Sequence, residues 1–165
     1  MKGLFLDLDD CLVPWQKAEN KNLELNKETL INMTEQNIKT IKAFCNRNKF
    51  KCFLSSSWSV TYEAKNGNLI PKKGYNPQQT EQTLLNIINK YLDFVKTDPF
   101  HDRVRFIKEE SKNLNVALVI DDFDLSEKFD EDNIFFLRVI NGEFLEEKLK
   151  KAEFNINIYL ANKRS

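Results

Sequence analysis

Acidic and hydroxyl side chains stand at the ends of three short apolar runs in this sequence. They are Asp7 and Asp9, Ser55 and Ser56, and Asp121 and Asp122. Carboxylates that lie close together repel one another unless a positive charge sits between them, and Mg²⁺ is the usual cation for oxygen ligands beside a phosphate. One carboxylate of such a set can attack phosphorus while another moves protons. These residue types therefore predict magnesium-dependent phosphoryl transfer.

Each of these features also has an ordinary structural interpretation. An acid after an apolar strand is often a turn or helix-capping residue, and serines at 55–57 can cap a following helix. The acids of 121–124 would by themselves suit a solvated loop. A functional site is nevertheless favoured, because three of the four predicted strands end in acidic or hydroxyl residues. The carboxyl ends of parallel strands meet at one edge of a sheet, where ligands bind.

The apolar pattern of the chain predicts strands that alternate with helices. The predicted strands are 2–8, 50–54, 116–120 and 134–139, and the predicted helices are 34–47, 84–91, 103–114 and 144–152. Thr34 and Asp102 are the expected N-caps of two of these helices. The strand runs are continuously apolar, as in parallel strands that are covered on both faces. We therefore expect a doubly wound α/β fold with a mainly parallel sheet in three α/β/α layers.

The whole chain fits one globular domain, 1–165. Its 165 residues are 41% hydrophobic and 30% charged, and the formal net charge is zero, so the composition implies no broad electrostatic hold on nucleic acid. Three cysteines without a secretion signal indicate reduced thiols in the cytoplasm, and no apolar run is long enough to span a membrane. Residues 59–79 look irregular, and 59–100 are expected to form at most a small insertion or lid.

Three motifs resemble those of the haloacid dehalogenase (HAD) superfamily of phosphatases. The segment Leu4-Phe5-Leu6-Asp7-Leu8-Asp9-Asp10-Cys11-Leu12 is similar to the first motif, an apolar strand followed by Asp-x-Asp. Phe53-Leu54-Ser55-Ser56 resembles the second motif, and Val119-Ile120-Asp121-Asp122 resembles the fourth. The resemblance is to small bacterial and phage members. It implies a Rossmann-like HAD core with a minimal cap or none.

The resemblance assigns roles to the acids. It implies that Asp7 is the nucleophile that forms an aspartyl-phosphate, and that Asp9 protonates the leaving group and then activates water. Asp7, the main-chain carbonyl of Asp9, and one or both of Asp121 and Asp122 would hold Mg²⁺. Asp10 departs from the pattern, because the family commonly has Gly there. Cys11 also departs from it, since Thr or Val is common at that position.

The phosphate-binding and basic residues are less closely defined by the resemblance. Either Ser55 or Ser56 would bind a phosphoryl oxygen. Arg103 is the first choice for the basic residue of the third motif, Lys108 is the second, and Lys96 is a further alternative. An arginine there would supply positive charge as a planar fork rather than as a point charge.

The function that this resemblance implies is a magnesium-dependent phosphomonoesterase that works through an aspartyl-phosphate. Its partner would be a phosphorylated substrate, either a small molecule or a macromolecular phosphate end, and no membrane is involved. Two alternatives stay open. One is a HAD-fold binding or regulatory protein without catalysis, and the other is a phosphatase that acts on nucleic-acid ends.

Overall fold

The computed structural model describes residues 1–15 and 23–164. Its strands are β1 (Lys2–Leu6), β2 (Phe50–Leu54), β3 (Tyr62–Lys65), β4 (Asn68–Pro71), β5 (Phe94–Thr97), β6 (Val116–Asp121) and β7 (Ile134–Arg138). Its helices are α1 (Leu23–Asn48), α2 (Gln79–Tyr91), α3 (Arg103–Ser111) and α4 (Leu145–Arg164), with short 3₁₀ turns at Ser57–Val60 and Ser126–Lys128. Strands and α-helices alternate over much of the chain, as the sequence pattern predicts, but within these described ranges no α-helix separates β2, β3 and β4, or β6 and β7.

Five of the strands form one parallel sheet in the order β5-β2-β1-β6-β7. From β1 the chain builds one half of the sheet through β2 and β5, and then returns to build the other half through β6 and β7. Such a reversal creates a crevice beside the central strand, outside the carboxyl ends of the strands. The prediction of a parallel α/β sheet flanked by helices is confirmed, and the fold is Rossmann-like.

Alternate residues of the central strand pack into two separate apolar layers. Leu4 and Leu6 belong to the larger cluster, which includes buried side chains of α1, α2 and α4. Phe5 points to the other face and packs with Phe53 and Phe106 of α3. The Phe5 ring stacks on Phe53 at 4.8 Å and meets Phe106 edge-on at 5.6 Å between centroids. These rings fix α3 against the sheet.

The first helix begins earlier than the sequence pattern predicts. The expected N-cap, Thr34, lies inside α1, where its hydroxyl donates to the carbonyl of Leu30 at 2.7 Å. The prediction of a helix start at Thr34 is therefore wrong, because a threonine inside a helix can satisfy its hydroxyl on the preceding turn. At the other end of the chain, α4 continues well past the predicted end at 152.

The stretch predicted to be irregular contains a β-hairpin. Strands β3 and β4 pair in antiparallel fashion around Asn66 and Gly67, whose φ angles are 53° and 86°. Two positive φ angles are what a two-residue hairpin turn requires, and Asn-Gly is the commonest sequence for it. The amide of Phe94 donates to the Gly67 carbonyl at 2.8 Å, which attaches the hairpin to β5.

Strand β5 was not predicted, because its four residues lie at the edge of the sheet and half of them face solvent. It belongs to the main sheet, since it pairs with β2. Residues 94–97 of the expected insertion 59–100 are therefore core structure rather than lid. Among the helices of residues 1–15 and 23–164, none is both long and apolar enough to cross a membrane.

Candidate functional site

The carboxyl edge of the sheet gathers the predicted acids and serines. Residues Leu6, Leu54 and Ile120 are in register on β1, β2 and β6. The hydrogen bonds continue one residue further, because the amide of Asp7 donates to the Ile120 carbonyl and the amide of Ser55 donates to the Leu6 carbonyl, each at 3.0 Å. The side chains that follow these strands are therefore held by main-chain bonds rather than by a mobile loop.

Three carboxylates form a tight cluster at this edge. One oxygen each of Asp7, Asp121 and Asp122 lies within 4.8 Å of the other two. Asp7 is 3% exposed and Asp121 is fully buried. Burial, a hydrogen bond with Asp122 and the charge of Asp121 raise the pKa of Asp7 to about 9. The pKa of Asp121 is raised as well, chiefly by burial, although the Phe123 amide and Arg103 oppose the rise.

Arg103 supplies positive charge to this cluster. Its Nη1 lies 2.7 Å from Asp121 Oδ2 and 3.6 Å from Asp7 Oδ1. It is the first residue of α3, and the N-cap side chain of Asp102 accepts a hydrogen bond from the Arg105 amide at 3.2 Å. The prediction of Asp102 as an N-cap is confirmed. The cap and the ring of Phe106 thus set where the guanidinium stands.

The donor set of this cluster suits a hard divalent cation. Carboxylate oxygens are the ligands that a hard divalent cation prefers, and three acids beside one guanidinium leave an excess of negative charge. The predicted metal residues Asp7, Asp121 and Asp122 are brought together. The carboxylate of Asp9 is outside this group, so its predicted part in metal binding rests on its main-chain carbonyl, as the resemblance implies.

The side chain of Asp9 is held by two tryptophans. The indole Nε1 of Trp15 and that of Trp58 each donate to Asp9 Oδ1 at 2.8 Å. Trp58 is 5% exposed and stacks on Tyr62 with ring centroids 5.0 Å apart. Sequence reasoning assigns both tryptophans to packing, and no sequence pattern indicates that they converge on one carboxylate. The contact depends on tertiary structure alone.

The two candidate serines have different surroundings. Ser55 Oγ is buried and has no hydrogen-bond partner among the described residues. Ser56 Oγ accepts a hydrogen bond from the Trp58 amide at 3.2 Å, as the N-cap of the 3₁₀ turn. An unpaired buried hydroxyl costs free energy unless a ligand or a water satisfies it. The hydroxyl of Ser55 thus makes no hydrogen bond to the described residues, whereas that of Ser56 caps the 3₁₀ turn.

A pocket of about 160 Å³ lies beside Ser55. Its lining includes Arg103, the buried acid Asp98 and the single histidine of the chain, His101. Asp98 Oδ1 accepts a hydrogen bond from the Phe100 amide at 2.8 Å, so it shapes the loop between β5 and α3. Sequence reasoning missed Asp98 because β5, the strand that it follows, was not recognised.

The alternative basic residues point away from the cluster. Lys108 lies in the last turn of α3, where its Nζ is 3.7 Å from Glu131 Oε1. Lys96 lies on β5 and pairs with Glu110 at 2.6 Å. Of the three candidates, Arg103 alone is paired with the acids of the candidate site.

The two residues that depart from the family pattern lie in a tight loop after β1. Asp10 has a φ of 59°, its amide donates to the Val13 carbonyl, and its carbonyl accepts from the Asn141 amide, each at 2.8 Å. Cys11 is fully buried, and burial followed by the negative charge of Asp7 raises the pKa of its thiol. The thiol is thus kept protonated and is a poor nucleophile.

Comparisons with protein-family models, with curated proteins and with solved structures return no match to this chain.

Proposed function

We propose that this protein is a magnesium-dependent phosphomonoesterase of the HAD type that works through an aspartyl-phosphate on Asp7. The observation that carries the proposal is the cluster of Asp7, Asp121 and Asp122 with Arg103 at the carboxyl edge of the sheet. The buried hydroxyl of Ser55 lies at the same edge and has no hydrogen-bond partner in the part of the chain that the structure describes. This arrangement combines oxygen ligands for a cation with two donors for a phosphoryl group.

Asp7, Asp121 and Asp122 would hold Mg²⁺, together with the main-chain carbonyl of Asp9. When bound, the ion would offset the negative charge of these acids and keep Asp7 ionised, which is the form that can attack phosphorus. Arg103 would bind a phosphoryl oxygen through its guanidinium fork, and Ser55 would donate a hydrogen bond to another.

In the first step, a carboxylate oxygen of Asp7 forms a bond to phosphorus while the bond from phosphorus to the ester oxygen breaks. The leaving oxygen takes a proton from Asp9 and departs as an alcohol, which leaves Asp9 ionised. In the second step, water attacks the same phosphorus and gives a proton to Asp9. The bond between phosphorus and Asp7 then breaks, which releases inorganic phosphate and restores both acids.

The backbone at Asp10 supports the resemblance to the HAD first motif. Its φ of 59° lies in the left-handed region, which glycine enters without strain and which Asp and Asn tolerate better than most other residues. Asp10 thus keeps the backbone form that glycine favours at this position. Its main-chain bonds to Val13 and Asn141 hold the loop that follows β1.

The direct test is hydrolysis of p-nitrophenyl phosphate by the purified protein with Mg²⁺. We expect turnover that EDTA abolishes and that Asp7→Asn reduces by at least about 10³-fold, because the nucleophile is lost. Asp132→Asn is the matched control, since Asp132 is exposed and lies before the amino end of β7. Unchanged turnover in Asp7→Asn would refute the assignment of the nucleophile.

A second measurement addresses the Asp7 carboxylate without turnover. Beryllium fluoride binds aspartate carboxylates as a mimic of a phosphoryl group, so with Mg²⁺ it should raise the melting temperature by a few degrees. Asp7→Asn should show no such rise. A wild-type protein that neither turns over phosphate esters nor responds to beryllium fluoride would speak against the whole proposal.

A further inference from the structure

Both tryptophans of the chain converge on a single oxygen atom. The sequence contains two tryptophans, and each donates its indole N–H to Oδ1 of Asp9 at 2.8 Å. The two donors come from separate parts of the chain, because Trp15 follows the loop after β1 and Trp58 lies in the 3₁₀ turn after β2. The side chain of Asp9 is thus held from two directions.

The two bonds restrict what the carboxyl group can do. An indole N–H is a donor only, so it can bind the acid but cannot take a proton from it. Two hydrogen bonds that reach one oxygen from different elements restrict the rotation of the carboxyl group. Among the described residues no hydrogen bond is made to Oδ2. Because Oδ1 already accepts two hydrogen bonds, Oδ2 is the oxygen better able to carry a proton.

Residues of the 59–100 segment, which is expected to form a small insertion or lid, hold Trp58 in place. Its ring stacks on Tyr62 of β3, and the Tyr62 hydroxyl donates to Glu81 of α2 at 2.6 Å. The hydroxyl of Tyr75 donates to the same oxygen of Glu81. The rings of Tyr62 and Tyr75 also meet edge-on, with centroids 5.5 Å apart. The hairpin and α2 thus form a fixed support behind Trp58.

We propose that Trp15 and Trp58 are positioning residues that aim Oδ2 of Asp9 at the leaving oxygen of the substrate. This inference rests on the proposed function, in which Asp9 gives its proton to that oxygen as the bond to phosphorus breaks. A proton donor must lie within hydrogen-bond distance of the atom that receives the proton, and a displacement of about 1 Å can cost up to 10²-fold in rate. The two indole N–H groups, which both donate to Oδ1, restrict the displacement of the Asp9 carboxyl group.

A purely structural role for the indoles is the competing explanation. In that case they would join the loop after β1 to the turn after β2, and their loss would reduce activity equally for all substrates. A positioning role instead makes the loss depend on the leaving group. A nitrophenolate departs readily without a proton, whereas phenolate needs one more strongly. Phenyl phosphate and p-nitrophenyl phosphate have similar shapes, so the comparison isolates proton transfer.

The experiment measures kcat/KM for both esters, because this constant reports the steps up to the first phosphoryl transfer. We expect Trp58→Phe, which keeps a ring on Tyr62 but removes the N–H, to lower kcat/KM for phenyl phosphate roughly 10-fold more than for p-nitrophenyl phosphate. Trp15→Phe should do the same. It serves as the second variant because Trp15 is less buried, so the substitution disturbs the core less.

Two controls separate position from structure. Tyr62→Phe removes the hydroxyl bond to Glu81 behind Trp58 but leaves both indoles, so it should lower stability without changing the ratio between the two esters. In an Asp9→Asn background, Trp58→Phe should have no further effect on that ratio, because the proton donor is already gone. Additive effects of these two substitutions on the ratio would overturn the proposal.

A measurement without turnover checks the contact itself. The ¹⁵N spectrum of the protein should contain two indole N–H signals, and both should move in Asp9→Ala while Asp132→Ala leaves them in place. Indole signals that do not move would overturn the proposal. Turnover with equal losses for both esters in the tryptophan variants would refute positioning alone. No turnover by the unsubstituted protein would refute the proposed function, and the positioning role with it.

Discussion

At the scale of single residues, the main feature of the site is the balance of charge around the buried carboxyl group of Asp7. Asp7 is nearly enclosed, and its neighbours Asp121 and Asp122 are also acids. A buried charge is costly unless a partner compensates it, and Arg103 is the partner that the structure provides. Its guanidinium pairs with two of the three acids and so links them, and under the proposed function it would also bind a phosphoryl oxygen.

Substitutions of Arg103 should separate its charge from its shape. Arg103→Gln removes the charge, and we expect kcat/KM for p-nitrophenyl phosphate to fall about 10²- to 10³-fold. Arg103→Lys keeps a point charge but loses the fork, so roughly a tenfold loss is expected. Lys108→Gln is the matched control, because Lys108 pairs with Glu131 instead of the site acids. Equal losses in the lysine and glutamine variants would contradict a role for charge.

Asp7→Asn should stabilise the metal-free protein at neutral and alkaline pH. Because the pKa of Asp7 is raised from 3.8 to about 9, the folded protein holds a proton that the unfolded chain has released between those values. The free energy of unfolding therefore falls as pH rises from about 4 to 9, and Asn removes this dependence. We expect a gain of about 1–3 kcal/mol at pH 8 in EDTA, measured by urea denaturation. Asp132→Asn should show no such gain.

At the scale of elements, the side chain of Asn89 joins the hairpin to α2 through two hydrogen bonds to one residue, in addition to the bond between Tyr62 and Glu81. Asn89 Oδ1 accepts from the Leu69 amide at 2.8 Å, and its Nδ2 donates to the Leu69 carbonyl at 2.9 Å. Leu69 is buried, so these main-chain groups have little access to water. The same hairpin carries Tyr62, on which Trp58 stacks. Its attachment to α2 thus bears on the stability of the hairpin that packs behind Trp58.

Asn89→Ala should loosen the hairpin without unfolding the sheet. It leaves the amide and carbonyl of Leu69 without partners, which costs about 1–3 kcal/mol. Amide hydrogen exchange should become faster in residues 62–71 and stay unchanged in β1 and β6. Asn86→Ala is the matched control, since Asn86 is exposed on the same helix. Equal exchange rates in the hairpin of both variants would refute the role of Asn89.

The elements that sequence reasoning predicts well are those with a local signal. Strands β1, β2 and β6 are mainly apolar runs, and the Asp102 cap precedes a helical pattern. The Asn66-Gly67 pair is also a local signal, because Asn-Gly favours a two-residue hairpin turn, although 59–79 are predicted to be irregular. Strand β5 has no comparable signal, because an exposed four-residue edge strand owes its form to pairing with β2.

The same distinction applies to the site. The acids of the three-carboxylate cluster follow apolar strands, so parallel strands were enough to bring them together. The choice of Arg103 over Lys108 needed the orientation of α3, which the spacing alone leaves open. The contacts of Trp15 and Trp58 with Asp9 join residues up to 49 positions apart and have no local signature.

At the scale of the whole molecule, the sheet order puts the site at the point where two halves of the chain meet. Strand β1 lies between β2 and β6, so the serines arrive from one half and Asp121 from the other. A ligand that binds Asp7 and Asp121 together joins the two halves. Its binding free energy should therefore add to the stability of the entire fold rather than to that of one loop.

Mg²⁺ should raise the melting temperature of the whole protein in one cooperative transition. At a concentration of about 100 times its dissociation constant, a ligand that binds only the folded state adds about 2.7 kcal/mol. For a chain of this size that corresponds to roughly 5–10 °C. We expect the rise in MgCl₂ but not in NaCl of equal ionic strength. It should be lost in Asp121→Asn, which removes a buried ligand, and kept in Asp132→Asn. A rise of the same size in Asp121→Asn would place the ion elsewhere, and the cluster of Asp7, Asp121 and Asp122 would then be a charge-paired structural element without a metal.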